Sequence, residues 1–249
     1  RGLRSTALGM LNKLDISPEL LSNMVSQVLK NGEQGEKQRM MKSLGEMPLA
    51  KTEGVFRSMI RQLKNKKFPD ELRLDLADAI EASGSAPLAE ELKAALPKGN
   101  IFEEYADVLH GGSRRRGEQY FKQNETGQCI RCHTMGAADG ASVGPDLSRI
   151  GNVLDRKQLL QALIEPSARL APGFGTVKLT LTGGQEGIGV LEKESASELV
   201  LRTSEAEPLR VPVSRITHRE NYPSAMPAMG SLMSRHEIRD VIEYLSGLK

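Results

Sequence analysis

The two cysteines of the chain stand three positions apart, and a histidine follows the second, in the stretch GQCIRCHTMG at residues 127–136. Cys129, Cys132 and His133 at this spacing suit three kinds of chemistry. They could form a redox dithiol, half of a tetrahedral zinc site, or the attachment point of a covalently bound haem. The surrounding sequence distinguishes among the three.

The sequence around the motif argues against zinc and against a redox dithiol. A tetrahedral zinc site usually needs a second pair of ligands at defined spacing, and the remaining histidines are scattered singly along the chain. A thioredoxin-type dithiol lies at a turn between a strand and a helix in a βαβ unit, whereas the segment before Cys129 has a helical pattern. Zinc and dithiol chemistry therefore remain only as alternatives.

Covalent haem attachment uses every residue of the motif. The two thiols can add to the two vinyl groups of one porphyrin, and the histidine can bind the iron from one side. In the loop GPDLSRIG, Pro145 can pack on the His133 ring, and a backbone carbonyl can accept the imidazole N–H. The sequence therefore predicts one c-type haem, bound by Cys129, Cys132, His133 and Pro145. Arg149 and Arg169 are candidate partners of the haem propionates, or ordinary surface arginines.

A second axial ligand is expected from the loop YPSAMPAMG. Methionine or histidine usually fills this position in an electron-transfer haem. Pro223 and Pro227 restrict the backbone on either side of Met226 and favour it as the ligand. Met229 and His218 remain as alternatives.

The pattern of apolar residues divides the chain into a helical part and a mixed part. Residues 1–100 show short amphipathic helices with Gly- or Pro-marked connections, which indicates an array of paired helices, with a HEAT-like array as one interpretation. Residues 101–249 contain a predicted helix over 114–124, the cysteine motif, β-rich sequence at about 172–219 and a C-terminal helix. The predicted fold class is mainly α with a small antiparallel β insertion.

Composition excludes two classes of protein and is typical of a globular one. A net charge of +2 is too small to suggest nucleic-acid binding, and 39% hydrophobic residues suit an ordinary packed core. No apolar run approaches the roughly 20 residues of a membrane-spanning helix. Because thioethers to haem are made outside the cytoplasm, we expect a periplasmic or otherwise exported protein.

The C-terminal part, about residues 105–249, resembles class I cytochrome c. The resemblance is carried by a helix with Gly117, Tyr120 and Phe121, by C-I-R-C-H, by G-P-D-L, by a Met-Pro loop, and by a terminal helix with Tyr244 and Leu245. With the segment QLLQALIEPSARLAPGF, the β-rich insertion and S-A-M-P included, the match is closest to the planctomycete/verrucomicrobial-type haem-binding domain.

This resemblance implies a cytochrome c-like helical domain, in which the first and last helices cross with a glycine facing an aromatic side chain. It implies His133 and Met226 as axial ligands. The leading hypothesis is a mono-haem electron carrier, not an enzyme, that accepts electrons from a dehydrogenase partner or a fused dehydrogenase domain. The alternatives are a haem enzyme such as a peroxidase and a haem-containing sensor or partner-binding scaffold. No distal His/Arg pair is recognisable, which counts against the peroxidase.

Overall fold

The structure, a computed structural model, describes residues 6–97, 99–123, 127, 129–136 and 143–249. About 52% of these described residues are helical and 13% lie in strands, which confirms the predicted mainly α class with a smaller β part. No helix in these ranges has both the length and the apolar character to cross a membrane.

The chain folds into two compact units, Arg1–Gly112 and Ser113–Lys249. The division falls later than the predicted boundary near residue 100. The reason is that the segment 101–112 packs with the first unit, where the 3₁₀ turn Ala106–Val108 lies against the helices.

The first unit is built from amphipathic helices joined by short connections. They are α1 (Pro18–Asn31), α2 (Gln34–Gly45), α3 (Leu49–Lys64), α4 (Arg73–Ala82), α5 (Ala86–Ala95) and α6 (Ile101–Glu104). Helix α1 has a typical helix start, because the Ser17 side chain accepts a hydrogen bond from the Leu20 N–H and Pro18 occupies the first turn. Each long helix buries one apolar stripe, which includes fully buried side chains such as Phe56 and Met40.

In the first unit, the long helices pack mainly against the helix after next in the sequence. Helix α1 packs against α3, α2 against α4, and α3 against α5, and some neighbours in sequence also touch. This pattern places odd-numbered and even-numbered helices in two layers around one shared apolar core. The described elements of this unit are thus all helical, as its sequence predicts.

The second unit combines helices with an antiparallel sheet. Its helices are α7 (Arg114–Gln123), α8 (Ile150–Val153), α9 (Arg156–Ile164) and α10 (Arg235–Ser246). The predicted helix over 114–124 corresponds to α7, and Asn124 lies outside the described residues. Helix α10 begins at a capping box, in which the side chains of Ser234 and Glu237 each bond the backbone N–H of the other.

Helices α7 and α10 cross in close contact. A Cβ atom on Gly117 would lie 1.9 Å from the carbonyl oxygen of Asp240, so only glycine permits this approach. Beside this point, the rings of Phe121 and Tyr244 pack with their centroids 5.7 Å apart and their planes at 51°. The crossing thus depends on glycine at position 117 of α7 and on the adjacent aromatic pair, Phe121 and Tyr244.

An ion pair with one buried partner holds the start of α7 against α10. The Asp240 side chain is 6% exposed. It accepts hydrogen bonds from Arg116 Nε at 2.6 Å, from Arg116 Nη2 at 3.1 Å and from the Ser113 N–H at 2.6 Å. A buried carboxylate is costly unless it is paired and hydrogen-bonded, and these three bonds supply both requirements.

Five antiparallel strands follow α9. They are β1 (Thr176–Leu181), β2 (Glu186–Glu194), β3 (Glu198–Arg202), β4 (Leu209–Pro212) and β5 (Ile216–Asn221). Their order in the sheet is β4-β3-β2-β1-β5. Side chains from the strands share one apolar core with Leu170, made by Val177, Leu179, Leu181, Leu191, Leu199, Leu201 and Val211. The sheet confirms the predicted antiparallel β insertion, and its strands lie close to the predicted 172–219 segment.

Replacing Gly117 by alanine should destabilise the second unit. The new methyl group would meet backbone atoms of α10, so the helices must separate, and overpacking of this kind costs about 1–3 kcal/mol. Calorimetric unfolding should show a lowered transition temperature. Gly54→Ala is the control, because its Cβ position in α3 has no atom within 4 Å apart from the backbone of its own helix, and the substitution should preserve or raise stability. Equal transition temperatures for Gly117→Ala and the wild type would contradict the close crossing.

Candidate functional site

The cysteine motif is arranged around a single 3₁₀ turn, Cys129–Arg131. The carbonyl of Cys129 accepts hydrogen bonds from the N–H groups of Cys132 at 3.2 Å and His133 at 2.9 Å. Both cysteines are free; Cys129 is half-buried and Cys132 is exposed. One turn of backbone therefore offers a cofactor two thiols for covalent attachment and one imidazole for a metal.

The surroundings of Cys129 do not favour a redox dithiol. Burial raises the pKa of the Cys129 thiol, whereas reactive dithiols depend on a lowered thiol pKa. The motif follows helix α7, and the strands described in this unit pair only antiparallel, so no βαβ unit surrounds the motif in the described part of the chain. Within the described ranges, no group of three or more His, Cys, Asp or Glu side chains is placed to hold a metal ion.

The imidazole of His133 has a defined orientation. Its Nδ1 lies 2.9 Å from the backbone carbonyl oxygen of Pro145. Because a carbonyl oxygen only accepts hydrogen bonds, Nδ1 carries the hydrogen, and the lone pair of the neutral ring lies on Nε2. A metal-binding histidine usually has its second nitrogen held in this way.

The backbone at Gly144 passes directly against the His133 ring. A Cβ atom on Gly144 would lie 2.8 Å from His133 Cε1 and 2.9 Å from Nδ1, so any side chain would displace the imidazole. The Gly144 N–H also donates a hydrogen bond to the carbonyl of Cys132 at 2.8 Å. The sequence pattern does not single out Gly144, although it is the first residue of the predicted loop.

Asp146 joins the two segments that surround the imidazole. Its carboxylate accepts hydrogen bonds from Thr134 Oγ1 at 3.0 Å, the Gly136 N–H at 2.6 Å and the Ser148 N–H at 2.8 Å. The Ser148 hydroxyl donates to it as well. These bonds, with those from Ser148 foremost, hold the pKa of Asp146 well below its usual range. The role of Asp146 is not evident from the metal-ligand pattern of the sequence, although an aspartate two positions before a serine is typical of such a turn.

Tyr120, on α7, carries a buried hydroxyl. The residue is 9% exposed, and its Oη has no hydrogen-bond partner among the described residues. Its ring packs on the backbone of Gly127, where a Cβ atom would lie 2.6 Å from Tyr120 Cε1. Burial, followed by the negative charges that Glu237 and Cys129 can carry, raises the pKa of Tyr120 to about 12. A buried hydroxyl without a partner is costly, so the position favours a bound group that supplies one.

The candidate axial methionine lies on a separate loop, between β5 and α10. Met226 is half-buried, whereas Met229 and Met233 are only 3% and 6% exposed. Met229 begins a 3₁₀ turn that packs against α9. His218 is exposed on β5, opposite Thr180. Of the three methionines in this loop, Met226 is the one that packing leaves most accessible.

Hydrogen bonds tie the Met226 loop to the segment after α9. The Ser224 N–H donates to Ser167 Oγ at 3.0 Å, and the Met226 N–H donates to Ser224 Oγ at 3.1 Å. Asn221 Nδ2 also donates to the Ser167 carbonyl at 3.0 Å. Ser167 stands 57 positions before Ser224, so this loop is held by a distant part of the chain.

Tyr120 should stay protonated to unusually high pH. Its pKa is about 12 in the folded protein and about 10 in an unfolded chain. The folded state therefore binds this proton more tightly, and the resulting stabilisation is fully present below about pH 10 and lost as the pH rises towards about 12. The tyrosinate absorbance of the wild type minus that of Tyr120→Phe measures the titration. The control is the same absorbance difference measured in concentrated urea, where the chain is unfolded. A titration midpoint in the folded protein that equals the midpoint in urea would contradict the burial of the hydroxyl.

The chain matches no model of a known protein family and no curated protein sequence. What Cys129, Cys132 and His133 do is therefore inferred from their own chemistry and surroundings.

Proposed function

We propose that the second unit is a mono-haem c-type cytochrome that transfers electrons. Cys129 and Cys132 would attach one haem covalently, and His133 and Met226 would bind its iron. The observation that carries the proposal is the hydrogen bond of His133 Nδ1 to the Pro145 carbonyl. It leaves the lone pair of Nε2 for iron, on the same backbone turn as the two thiols.

The residues around the motif fit a covalently attached haem. Each thiol can add across one vinyl group: a carbon–sulfur bond forms, the thiol hydrogen passes to the other vinyl carbon, and nothing is released. Ile130, between the two cysteines, and Val143, next to Gly144, are 51% and 62% exposed and offer apolar surface that a large ring can cover. The unpartnered Oη of Tyr120 favours a bound group with polar atoms.

The chain keeps the imidazole ligand in place. Haem, when bound, supplies an iron that takes up and releases one electron. The Pro145 carbonyl holds the His133 ring in one orientation, while Gly144 lets the backbone lie against it. The ionised Asp146 fastens the loop that carries both residues. A ligand held so firmly needs little rearrangement during each electron transfer, which suits a carrier.

The loop between β5 and α10 is suited to hold Met226 at a fixed position. Pro223 and Pro227 restrict the backbone on both sides, and hydrogen bonds through Ser224 to Ser167 anchor the loop. A methionine ligand gives a haem a higher reduction potential than a second histidine does. We therefore propose a His/Met-ligated haem.

The wider fold supports the cytochrome c-like part of the proposal. The crossing of α7 and α10, where Gly117 faces Asp240 and Tyr244, is the arrangement that the resemblance to class I cytochrome c implies. In the first unit, the packing of each helix against the helix after next supports a HEAT-like array. We propose a scaffold or partner-binding role for that array.

Electron transfer requires a donor and an acceptor. We propose that the donor is a dehydrogenase, as a separate redox partner or as a domain of the same polypeptide, and that the acceptor is another redox carrier. Thioether formation with haem takes place outside the cytoplasm, so the proposal places the protein in the periplasm or in another exported location.

Removing both thiols should abolish covalent haem attachment. When the chain is exported in a host that matures c-type cytochromes, the denatured wild type should retain its haem absorbance, because thioethers survive denaturation. Cys129→Ala/Cys132→Ala should lose it. The single variants Cys129→Ala and Cys132→Ala are the controls, because each keeps one thioether. Haem retained by the denatured double variant, or a wild type without haem, would contradict the proposal.

Met226→Leu should remove the methionine-to-iron charge-transfer absorption of the oxidised protein and lower its midpoint potential. Met229→Leu should leave both unchanged. Leucine is preferred because Met229 is 3% exposed, and alanine there would open a cavity that costs about 2–5 kcal/mol. Loss of the absorption only in Met229→Leu would transfer the ligand role to Met229. A high-spin spectrum of the wild type would contradict the carrier and favour a haem enzyme with an open site.

A further inference from the structure

We propose that a groove beside the sheet of the second unit binds a small organic carboxylate. The groove lies between the segment after α9 and the ends of β2 and β5, and its volume is about 650 Å³. Sites for small molecules typically measure about 300–1,000 Å³. The lining residues that carry the proposal are Arg169, Leu170, Pro172, Glu194, Arg219 and Asn221.

Arg219 is a preorganised cation in this groove. Its Nη1 donates to Glu194 Oε1 at 2.7 Å, and its Nε donates to Asn221 Oδ1 at 2.9 Å. Asn221 is itself fixed, since its Nδ2 donates to the carbonyls of Ser167 and Ala168. A guanidinium carries five N–H donors, so these two bonds leave donors for a further acceptor. Binding to a group that is already immobilised costs little conformational entropy.

Arg169 adds a positive charge that the structure does not neutralise. It is exposed on the segment after α9 and makes no ion pair with a described carboxylate. The charged side chains of the lining are then Arg169, Arg219 and Glu194, which leaves the groove with one excess positive charge. Because the groove has two guanidinium groups and only one carboxylate, a ligand with a single negative charge would balance its charge. A carboxylate matches guanidinium donors in geometry as well as in charge.

The remaining lining indicates the body of the ligand. Leu170 is 4% exposed and belongs to the core of the sheet, so the small part of its side chain that lines the groove is apolar and rigid. Pro172 extends this surface on the same segment. An acid with a short apolar or aromatic body can cover these side chains while its carboxylate contacts the arginines.

Two sources of carboxylate must be separated, because the propionates of the proposed haem carry the same group. None of Cys129, Cys132, His133 and Met226 lines the groove. We assign the groove to a free organic acid, and this assignment does not depend on haem being bound.

Benzoate, titrated calorimetrically into the protein as isolated, tests the proposal. Saturable binding at one site is expected, and benzyl alcohol, which has the same ring without the charge, should bind at least tenfold more weakly. Arg169→Ala should weaken benzoate binding about tenfold, as expected for the loss of one charge-assisted hydrogen bond. Arg169→Lys should retain part of the affinity. Arg115→Ala is the matched control, because Arg115 is an exposed arginine on α7 outside the groove, and it should bind as the wild type does.

Four results would overturn the proposal. They are the absence of saturable benzoate binding, equal binding of benzyl alcohol, unchanged affinity in Arg169→Ala, and binding that appears only in Cys129→Ala/Cys132→Ala. The last result would identify a haem propionate as the natural occupant, because removal of the haem would then be what frees the groove. Benzoate binding with equal affinity to the wild type and to the double cysteine variant would support a free acid.

Discussion

The close crossing of α7 and α10 is the constraint on which the second unit depends. Helix α7 leads into the cysteine motif, and α10 follows directly after the Met226 loop. The helix pair therefore fixes where both segments begin and end. That contact tolerates no side chain at Gly117 and places the Asp240 carboxylate among hydrogen-bond donors from the first turn of α7. Packing and charge pairing act at the same point, so neither helix can shift without disturbing both.

A continuous chain of polar contacts runs from the sheet to the Met226 loop. Glu194 bonds Arg219, Arg219 bonds Asn221, and Asn221 bonds the carbonyl of Ser167. Ser167 in turn accepts from the loop that carries Met226. The sheet is thus mechanically connected to the loop that supplies the proposed ligand. The proposed carboxylate groove opens onto the same residues, so an occupant there would contact the outer end of this chain of bonds.

Local features were predictable from the sequence, and contacts between distant segments were not. The helix that starts at Pro18, the strands of the insertion and the cysteine motif all follow from residue spacing over a few positions. The sequence also predicts that a backbone carbonyl bonds the His133 ring, because a loop that contains Gly and Pro follows His133 within a few positions. The Ser167–Ser224 hydrogen bond joins residues 57 positions apart, and no pattern of residue spacing in the sequence indicates it. The units divide after Gly112 rather than near residue 100, because residues 101–112 pack by tertiary contacts that composition does not reveal.

The pairing of β1 with β5 gives the β insertion a particular architectural meaning. Val177, near the start of the insertion, lies opposite Asn221, at the end of the insertion. The chain therefore leaves the helices and returns to them at nearly the same place. A segment whose ends lie side by side can be lengthened, shortened or exchanged without altering the spacing of what flanks it. The long sequence separation between His133 and Met226 is therefore no measure of their separation in space. The sheet is thus an insertion between α9 and α10. Substitutions on the surface of the sheet can accumulate without altering the crossing of α7 and α10.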